Sequence, residues 1–431
     1  MFVSPSRPLG RFGRATVPIS EAAHAPGMAP LMRALGTGAC ALALSACGGQ
    51  SSAPVTASVA RAGGTMPVPP AATEVQPAAT PSPPASPPSS AADTSPSTPS
   101  AAASPVQPAF TASANIRLGD APLLGVNLSG CEFATDGVLC PTPAIVGAYI
   151  DKGFRAVRIP FRGAQADNPA IVARIKATAD AAVARGAYVI LDRHDYGGTF
   201  DPELAGWWAS FIANFPDSDR VMIDTMNEPK TGAPYEPDPA TGKSYATEVN
   251  AGIAAFRKAG FRHKLLIEWR GSSGMSRFDK KEGAGKPCES PACSFDRAGG
   301  MKDPLGLSMI SGHRYPDSDG SGTHAACVEG ATGAGLVSNT DEAARARGLK
   351  LWVGEFAFGN YAALSPICAA LGDGFIARMR ALPGTYAGVS WWGGGPHWKE
   401  DYLYKIEPKK GSFATAAPSP YLLALTGNAR P

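Results

Sequence analysis

A closed (β/α)8 TIM barrel is the fold that the sequence predicts for residues 111–431. From Leu123 onward, eight short apolar runs alternate with amphipathic segments of helical length. The runs are apolar throughout, which is typical of parallel strands covered by helices. Eight such units within about 310 residues favour a closed barrel over an open doubly wound sheet.

Each barrel element is predicted from its own stretch of sequence. The predicted strands are Leu124–Ser129, Ala156–Pro160, Tyr188–Asp192, Val221–Met226, Lys264–Trp269, Ser308–His313, Leu351–Phe356 and Gly388–Trp392. The predicted helices are Thr142–Lys152, Asn168–Arg185, Pro202–Asn214, Thr247–Lys258, Asp341–Arg347, Pro366–Ala381 and Pro420–Leu425. The fifth unit departs from this alternation, because Arg270–Pro304 is Gly-rich and has no clear helical pattern. We expect a surface loop there, held by a disulfide.

Residues 1–46 have the shape of an export signal. Arg33 precedes Ala34–Ala46, an apolar run of small residues. The run ends in Leu44-Ser45-Ala46-Cys47, which resembles a bacterial lipoprotein box with Cys47 as the lipidated residue. The protein is therefore expected at the cell surface or outer membrane, and the alternative is a soluble secreted protein that is cleaved near Ala46.

Residues 47–110 are predicted to be a disordered linker. Within them, residues 67–108 contain 13 Pro among Ala, Ser and Thr, and no Lys or Arg. Such a segment cannot bury apolar surface and prefers extended conformations. We interpret it as a tether between Cys47 and the barrel.

Composition and charge exclude several classes of function. The chain carries 39 basic and 36 acidic side chains, a formal net charge of +3, whereas a nucleic-acid-binding protein would be far more basic. Hydrophobic residues make up 44%, which excludes disorder of the whole chain.

No Gly-rich phosphate motif follows the first strand, so we expect no cofactor. Apart from the lipid anchor we expect no membrane contact, and we expect a monomer.

Six cysteines follow the export signal, and an even number in an exported chain favours disulfides over a metal site. No CxxC pair or close His pair accompanies them, so no metal is expected. Proximity in sequence suggests Cys131–Cys140 and Cys288–Cys293, which leaves Cys327–Cys368. Many other connectivities are possible, so the pairing stays open at this point.

Polar side chains occur where the predicted strands end, which is the functional rim of such a barrel. Glu228 and Glu355 follow strands 4 and 7 and should face each other across the barrel mouth. A retaining glycosidase needs such a pair, because one carboxyl protonates the leaving oxygen while the other attacks the anomeric carbon. Glu268, at the end of strand 5, is the rival candidate for the acid. The remaining candidates at strand ends are Arg158, His194, Asn227, His313, Tyr315, Trp391 and Trp392.

From about Leu123 to its end the chain resembles glycoside hydrolase family five, in the branch of endo-β-1,4-glucanases. The motifs that carry this resemblance are Gly125-Val126-Asn127-Leu128-Ser129-Gly130, Arg158-Ile159-Pro160-Phe161, Asp192-Arg193-His194-Asp195-Tyr196, Met226-Asn227-Glu228-Pro229, His313-Arg314-Tyr315 with Asp317–His324, and Trp352-Val353-Gly354-Glu355-Phe356. The resemblance implies a retaining enzyme that hydrolyses internal β-1,4-glucosidic bonds of cellulose or related β-glucans. The alternatives are an enzyme acting on mannan, xyloglucan or mixed-linkage glucan, and a non-catalytic polysaccharide-binding lipoprotein.

The resemblance also implies a role for each site residue. Glu228 matches the acid/base and Glu355 the nucleophile. Arg158 and Tyr315 match the pair that orients the nucleophile, and Asn227 matches the residue that bonds the sugar 2-hydroxyl. His194 and His313 match two histidines lining the site, Trp392 matches a sugar platform, and strand alternation turns Trp391 the other way. The resemblance also supports two disulfide bridges, Cys131–Cys140 and Cys327–Cys368. The family often has a Trp after strand 5, which Arg270–Phe278 lacks.

Overall fold

The computed structural model describes residues 110–359 and 364–406. The chain divides into two units, residues 1–96 and 97–431, and the described residues all belong to the second. The predicted export signal, Cys47, nearly all of the predicted linker and the predicted helix Pro420–Leu425 therefore lie outside the described residues. Among the described residues, no helix has the length and apolar character needed to cross a membrane.

Eight parallel strands form a closed barrel in chain order, and β1 pairs with β8 to close it. The prediction of a (β/α)8 barrel is therefore confirmed. Strands β4 and β5 end earlier than predicted, so the side chains that follow them lie on loops at the rim. The strands are β1 Leu123–Leu128, β2 Ala156–Phe161, β3 Tyr188–Arg193, β4 Val221–Asp224, β5 Lys264–Ile267, β6 Ser308–Arg314, β7 Leu351–Phe356 and β8 Tyr386–Gly394.

Helices follow the strands and cover the outside of the barrel. Several helices begin with a proline in the first turn, where the backbone N–H has no partner within the helix. The residue before that proline caps the helix, because its side chain accepts a backbone N–H of the first turn, as Asn168, Asp201 and Ser365 do. The helices are α1 Pro143–Asp151, α2 Pro169–Ala184, α3 Pro202–Ile212, α4 Tyr245–Lys258, α5 Pro291–Arg297, α6 Ser338–Ala346 and α7 Pro366–Ala381.

Helix α5 corrects the prediction that Arg270–Pro304 contains no helix. It begins at Pro291 and buries Phe295, whose ring lies 5.4 Å from the ring of Tyr245 on α4. The disulfide Cys288–Cys293 spans its first turn. The helix lies between segments rich in Gly and Pro, which are typical of loops, and this context conceals it in the sequence.

The barrel interior has an apolar floor and a polar upper layer. The floor consists of Ile116 and of buried side chains from the first three positions of the seven strands β2 to β8. Above it lie Asn127, Arg158, Asp192 and Asp224, all fully buried. This division places the charges of Arg158, Asp192 and Asp224 directly below the rim.

The structure contains the three disulfides Cys131–Cys140, Cys288–Cys293 and Cys327–Cys368. The first closes the loop after β1, the second lies at the start of α5, and the third joins the loop after β6 to α7. All three therefore tie down segments at the edge of the barrel.

Candidate active site

Arg158 on β2 is the centre of the polar layer. Its guanidinium lies 2.9 Å from Asp224, 3.1 Å from Asp192 and 3.3 Å from Glu355. Burial alone would lower the pKa of Arg158, but the surrounding carboxylates raise it well above its ordinary value. Arg158 is therefore a permanent buried cation that holds Glu355 from below.

Glu355 on β7 is bound by two donors. The Tyr315 hydroxyl donates to Oε2 at 2.7 Å, and Arg158 Nη1 lies 3.3 Å from Oε1. Burial, followed by the charge of Glu355, raises the pKa of Tyr315 well above its usual value, so Tyr315 keeps the proton that it donates. The carboxylate of Glu355 thus has a fixed position and direction.

Glu228 follows β4 on a strained turn, with a backbone φ of 42°. A left-handed conformation costs a residue with a side chain about 1–2 kcal/mol, so surrounding contacts must hold it. Its backbone N–H donates to Glu268 Oε2 at 2.7 Å, and its Oε1 lies 3.0 Å from His313 Nδ1. The turn leaves Glu228 partly exposed at the rim, with a side-chain exposure of 22%.

His313 and Glu268 form a buried support beneath Glu228. His313 Nε2 lies 3.2 Å from Glu268 Oε1, and Ser273 also donates to Glu268. Burial lowers the pKa of His313, but Glu268 and then Glu355 raise it well above its ordinary value. Burial raises the pKa of Glu268, and His313 and Arg158 outweigh it, bringing that pKa to about 2. Glu268 is a buried anion rather than a rim acid, so its candidacy as the proton donor fails.

The two glutamates converge on one small space. Oxygens of Glu228 and Glu355 and the Nδ1 atom of His313 all lie within 4.8 Å of one another. Retaining glycosidases place their carboxyl groups about 5–5.5 Å apart, whereas inverting enzymes need about 6.5–9.5 Å to admit a water. The separation therefore fits direct attack by one carboxylate on the sugar.

These three side chains could also serve as ligands to a divalent cation. A second group of this kind, formed by Asp317, Asp319 and His324, lies in the loop after β6. Asp317 accepts three backbone N–H groups of its own loop, from Gly322, Thr323 and His324. These bonds give Asp317 a structural role in the loop.

His194 and Trp392 lie side by side on the other flank of the site. His194 Nδ1 is 2.7 Å from Asp192 Oδ2, its Nε2 is 3.0 Å from the Tyr196 hydroxyl, and its ring stacks on Trp392 at 5.8 Å. Burial lowers the pKa of His194, but Asp192 more than compensates and the pKa is raised. His194 is buried with both ring nitrogens engaged, so it supports the indole of Trp392, whose face is suited to contact with a sugar ring.

Asn227 is buried between Arg158 and the rim. Its Oδ1 accepts a hydrogen bond of 2.8 Å from Arg158 Nη2. Because the amide oxygen is engaged, the amide nitrogen is the group that can donate to a sugar hydroxyl.

Trp391 is not part of the site, which corrects its selection as a substrate-binding candidate. It is fully buried, its indole N–H donates to the Tyr404 carbonyl at 2.8 Å, and its ring meets Phe358 at 5.2 Å. The alternation of side chains along β8 sends Trp391 into the packing and Trp392 toward the cleft.

Two residues of the polar layer were not identified from the sequence. Asn127 accepts from Arg158 and donates to the Gly354 carbonyl, and Asp224 pairs with Arg158 at the end of β4. For Asp224, the sequence did offer a signal, because this residue is the one charge at the end of the otherwise apolar run Val221–Asp224.

Aromatic side chains continue outward from Trp392. The indole of Trp398 meets Trp392 edge-on at 5.6 Å and stacks on Tyr402 at 3.8 Å. Phe133, which is 45% exposed, stacks on His397 at 3.7 Å. This flank of the cleft is therefore lined with rings.

Known proteins share both the sequence pattern and the fold. Residues 120–395 match the family model described as Cellulase (glycosyl hydrolase family 5). Endo-beta-1,4-glucanase B of Aspergillus niger is 26% identical over 314 residues, covering 68% of this chain and 86% of that protein. Endo-beta-1,4-glucanase B of Emericella nidulans is 27% identical over 312 residues, covering 67% and 86%.

Solved structures show the same similarity. An endo-beta-1,4-glucanase from Xanthomonas axonopodis pv. citri superimposes with a TM-score of 0.60 at 25% identity, covering 71% of this chain and 98% of that one. A structure of XacCel5A in complex with cellopentaose gives a TM-score of 0.61 at 26% identity, covering 72% and 100%.

Proposed function

The chain belongs to glycosyl hydrolase family 5, and from this premise we infer that it is an endo-β-1,4-glucanase that hydrolyses internal bonds of cellulose or related β-glucans with retention of configuration. The observation that carries this conclusion is the convergence of the Glu228 and Glu355 oxygens within 4.8 Å at the barrel rim. The similarity to proteins named endo-beta-1,4-glucanases supports the choice of substrate.

In the first step, Glu355 attacks the anomeric carbon while Glu228 gives its proton to the glycosidic oxygen. A carbon–oxygen bond to Glu355 forms, the glycosidic bond breaks, and the shortened chain leaves as an alcohol. Arg158 and Tyr315 hold Glu355 in line for this attack. Asn227 is placed to bond the sugar 2-hydroxyl as charge develops on the ring.

In the second step, Glu228 removes a proton from water, and the oxygen attacks the same carbon and releases Glu355. Two inversions give net retention, and one water is consumed per bond. His313 lies 3.0 Å from Oε1 of Glu228 and so leaves Oε2 as the oxygen that exchanges the proton. One carboxyl group thereby acts first as acid and then as base.

Product analysis tests this proposal. Cellopentaose should be cut internally to shorter cello-oligosaccharides whose new reducing ends appear first as the β-anomer, observed by NMR. Carboxymethyl cellulose should release reducing ends faster than mannan or xyloglucan, and Glu355→Gln should abolish release. No hydrolysis of any of the three polymers would contradict the enzyme and favour a binding protein.

We further propose that the protein is exported and anchored through a lipid on Cys47, with residues 47–110 as the tether. The sequence of residues 1–110 supports this, and the three disulfides fit an oxidising compartment outside the cytoplasm.

A further inference from the structure

A polar hollow of about 380 Å³ lies beside Glu228. Its walls come from the loop after β5, with Ser272 and Arg277, and from the end of β6 and its loop, with Arg314 and Asp319. Because Glu228 lines the hollow, the hollow lies on the side where the leaving sugar units sit. This placement rests on the proposed role of Glu228 as the proton donor.

The hollow differs from the opposite flank of the cleft. That flank presents the rings of Trp392 and Trp398, whereas the rings lining the hollow are those of Tyr315, whose hydroxyl is bound to Glu355, and of buried His313. Stacking on aromatic faces therefore contributes little to binding in the hollow. Recognition there must come from polar and charged groups.

Two guanidinium groups in the hollow form no ion pair with any described residue. Arg277 is exposed and, within residues 110–359 and 364–406, makes no ion pair or hydrogen bond through its side chain. Arg314 is half-buried, and its Nε atom is buried without a hydrogen-bond partner in the same part of the chain. A buried polar group without a partner costs free energy, and an arginine cannot reduce that cost by losing its proton.

One carboxylate besides Glu228 belongs to the lining, that of Asp319. It is more than half exposed, accepts the backbone N–H of Ser321 and lies 3.6 Å from His324 Nδ1. Buried Asp317 interacts with Arg314 through space. Its Oδ2 accepts backbone N–H groups, and its Oδ1 is buried without a hydrogen-bond partner among the described residues. Among the described residues no carboxylate forms an ion pair with either guanidinium, so both groups keep unused hydrogen-bond donors beside the hollow.

We propose that this hollow binds a carboxylate-bearing sugar, a hexuronic acid unit, in the leaving part of the substrate. A guanidinium matches a carboxylate through two parallel charge-assisted hydrogen bonds, which a neutral glucose unit cannot offer. The enzyme would then favour acid-substituted β-1,4-glucans and cut just before an acidic unit. Arg314 and Arg277 are the residues that determine this preference.

The test compares two soluble polymers, hydroxyethyl cellulose and a β-1,4-glucan partly oxidised at C6 to glucuronic acid. The wild-type ratio of kcat/KM on the acidic polymer to that on the neutral one should fall about tenfold in Arg314→Gln and several-fold in Arg277→Gln. Arg314→Lys keeps the charge and should keep part of the preference. Arg380→Gln, an exposed change on α7, should leave the ratio unaltered, and added salt should lower it in the wild type.

Mass spectrometry of the wild-type products gives a readout that needs no variant. Glucuronate should be enriched in the first or second unit from the new non-reducing end, because those units occupied the leaving side. Enrichment at the new reducing end, or a ratio that the arginine variants leave unaltered, would overturn the inference while the glucanase activity stands. No hydrolysis of hydroxyethyl cellulose would overturn the proposed function itself, and the inference with it.

Discussion

Glu132 is a buried carboxyl that does not belong to the proposed catalytic pair, Glu228 and Glu355. It lies just after β1, where its Oε2 accepts the Gly130 backbone N–H at 2.7 Å and its Oε1 is buried without a partner among the described residues. Burial raises the pKa of Glu132 to about 7, although the nearby His194 opposes this. The folded protein therefore retains a proton there that the unfolded chain loses near pH 4.5.

This shift predicts a pH-dependent effect of Glu132→Gln on stability. Because the folded pKa is raised, the wild type binds the proton more tightly when folded, and it loses stability as pH rises from about 4.5 to 7. The neutral glutamine avoids this loss. The free energy of unfolding of the variant, relative to that of the wild type, should therefore rise by about 3 kcal/mol between pH 4.5 and pH 8. Urea unfolding of both proteins at pH 4.5 and pH 8 measures this change. If the variant and the wild type differed in free energy of unfolding by the same amount at both pH values, Glu132 would not hold a proton in the folded protein.

The sequence locates residues at strand ends better than it orients them. Glu228, Glu355 and Arg158 could be predicted together, because the ends of parallel barrel strands share one rim. The pairing of Asp224 with Arg158 could not, since it depends on which face of β4 the closed barrel turns inward. The opposite directions of Trp391 and Trp392, in contrast, could be predicted, because neighbouring side chains on a strand alternate.

At the scale of elements, the long helices and apolar strands could be predicted from sequence and α5 could not. The helices that the sequence revealed, such as α2 and α7, present two turns or more of repeating pattern, whereas α5 spans seven residues. Its stability comes from contacts distant in sequence, chiefly those of Phe295, and from the neighbouring disulfide. Such contacts leave no local periodic signal.

Phe295→Ala tests whether α5 is part of the packed structure. Phe295 is fully buried against Tyr245 and Phe110, so its truncation should destabilise the fold by about 3–5 kcal/mol. Ile367→Ala on α7 is the control, because that side chain is 42% exposed and should cost much less. Denaturant unfolding measures both, and equal small losses would mean that the predicted surface loop describes this segment better.

At the scale of the whole molecule, we propose a protein with an anchored leader, a tether and a catalytic barrel. The barrel is known in structure, and the leader and tether remain predictions from sequence. We propose that the Pro-rich composition of residues 67–108 makes this segment an extended tether between Cys47 and the barrel. The barrel should therefore act on polymer at a distance from the membrane.

Lipidation predicts a clear change in location when Cys47→Ala is expressed in a bacterium with a lipoprotein pathway. The wild type should take up radiolabelled palmitate and sediment with membranes, because stable anchoring needs acyl chains. The variant should take up none and appear in the soluble exported fraction with its activity on soluble substrate retained. Palmitate on the variant, or an unlabelled soluble wild type, would contradict the anchor and favour secretion.

The central claim is that Glu228 is the acid/base and Glu355 the nucleophile, and azide rescue tests it most directly. Glu228→Ala and Glu355→Ala should each lose about 10³-fold or more in kcat with the fold intact by circular dichroism. With azide, Glu228→Ala should yield a β-glycosyl azide of retained configuration, and Glu355→Ala the inverted α-glycosyl azide, as read by NMR. The opposite pairing of products with variants would contradict the assignment.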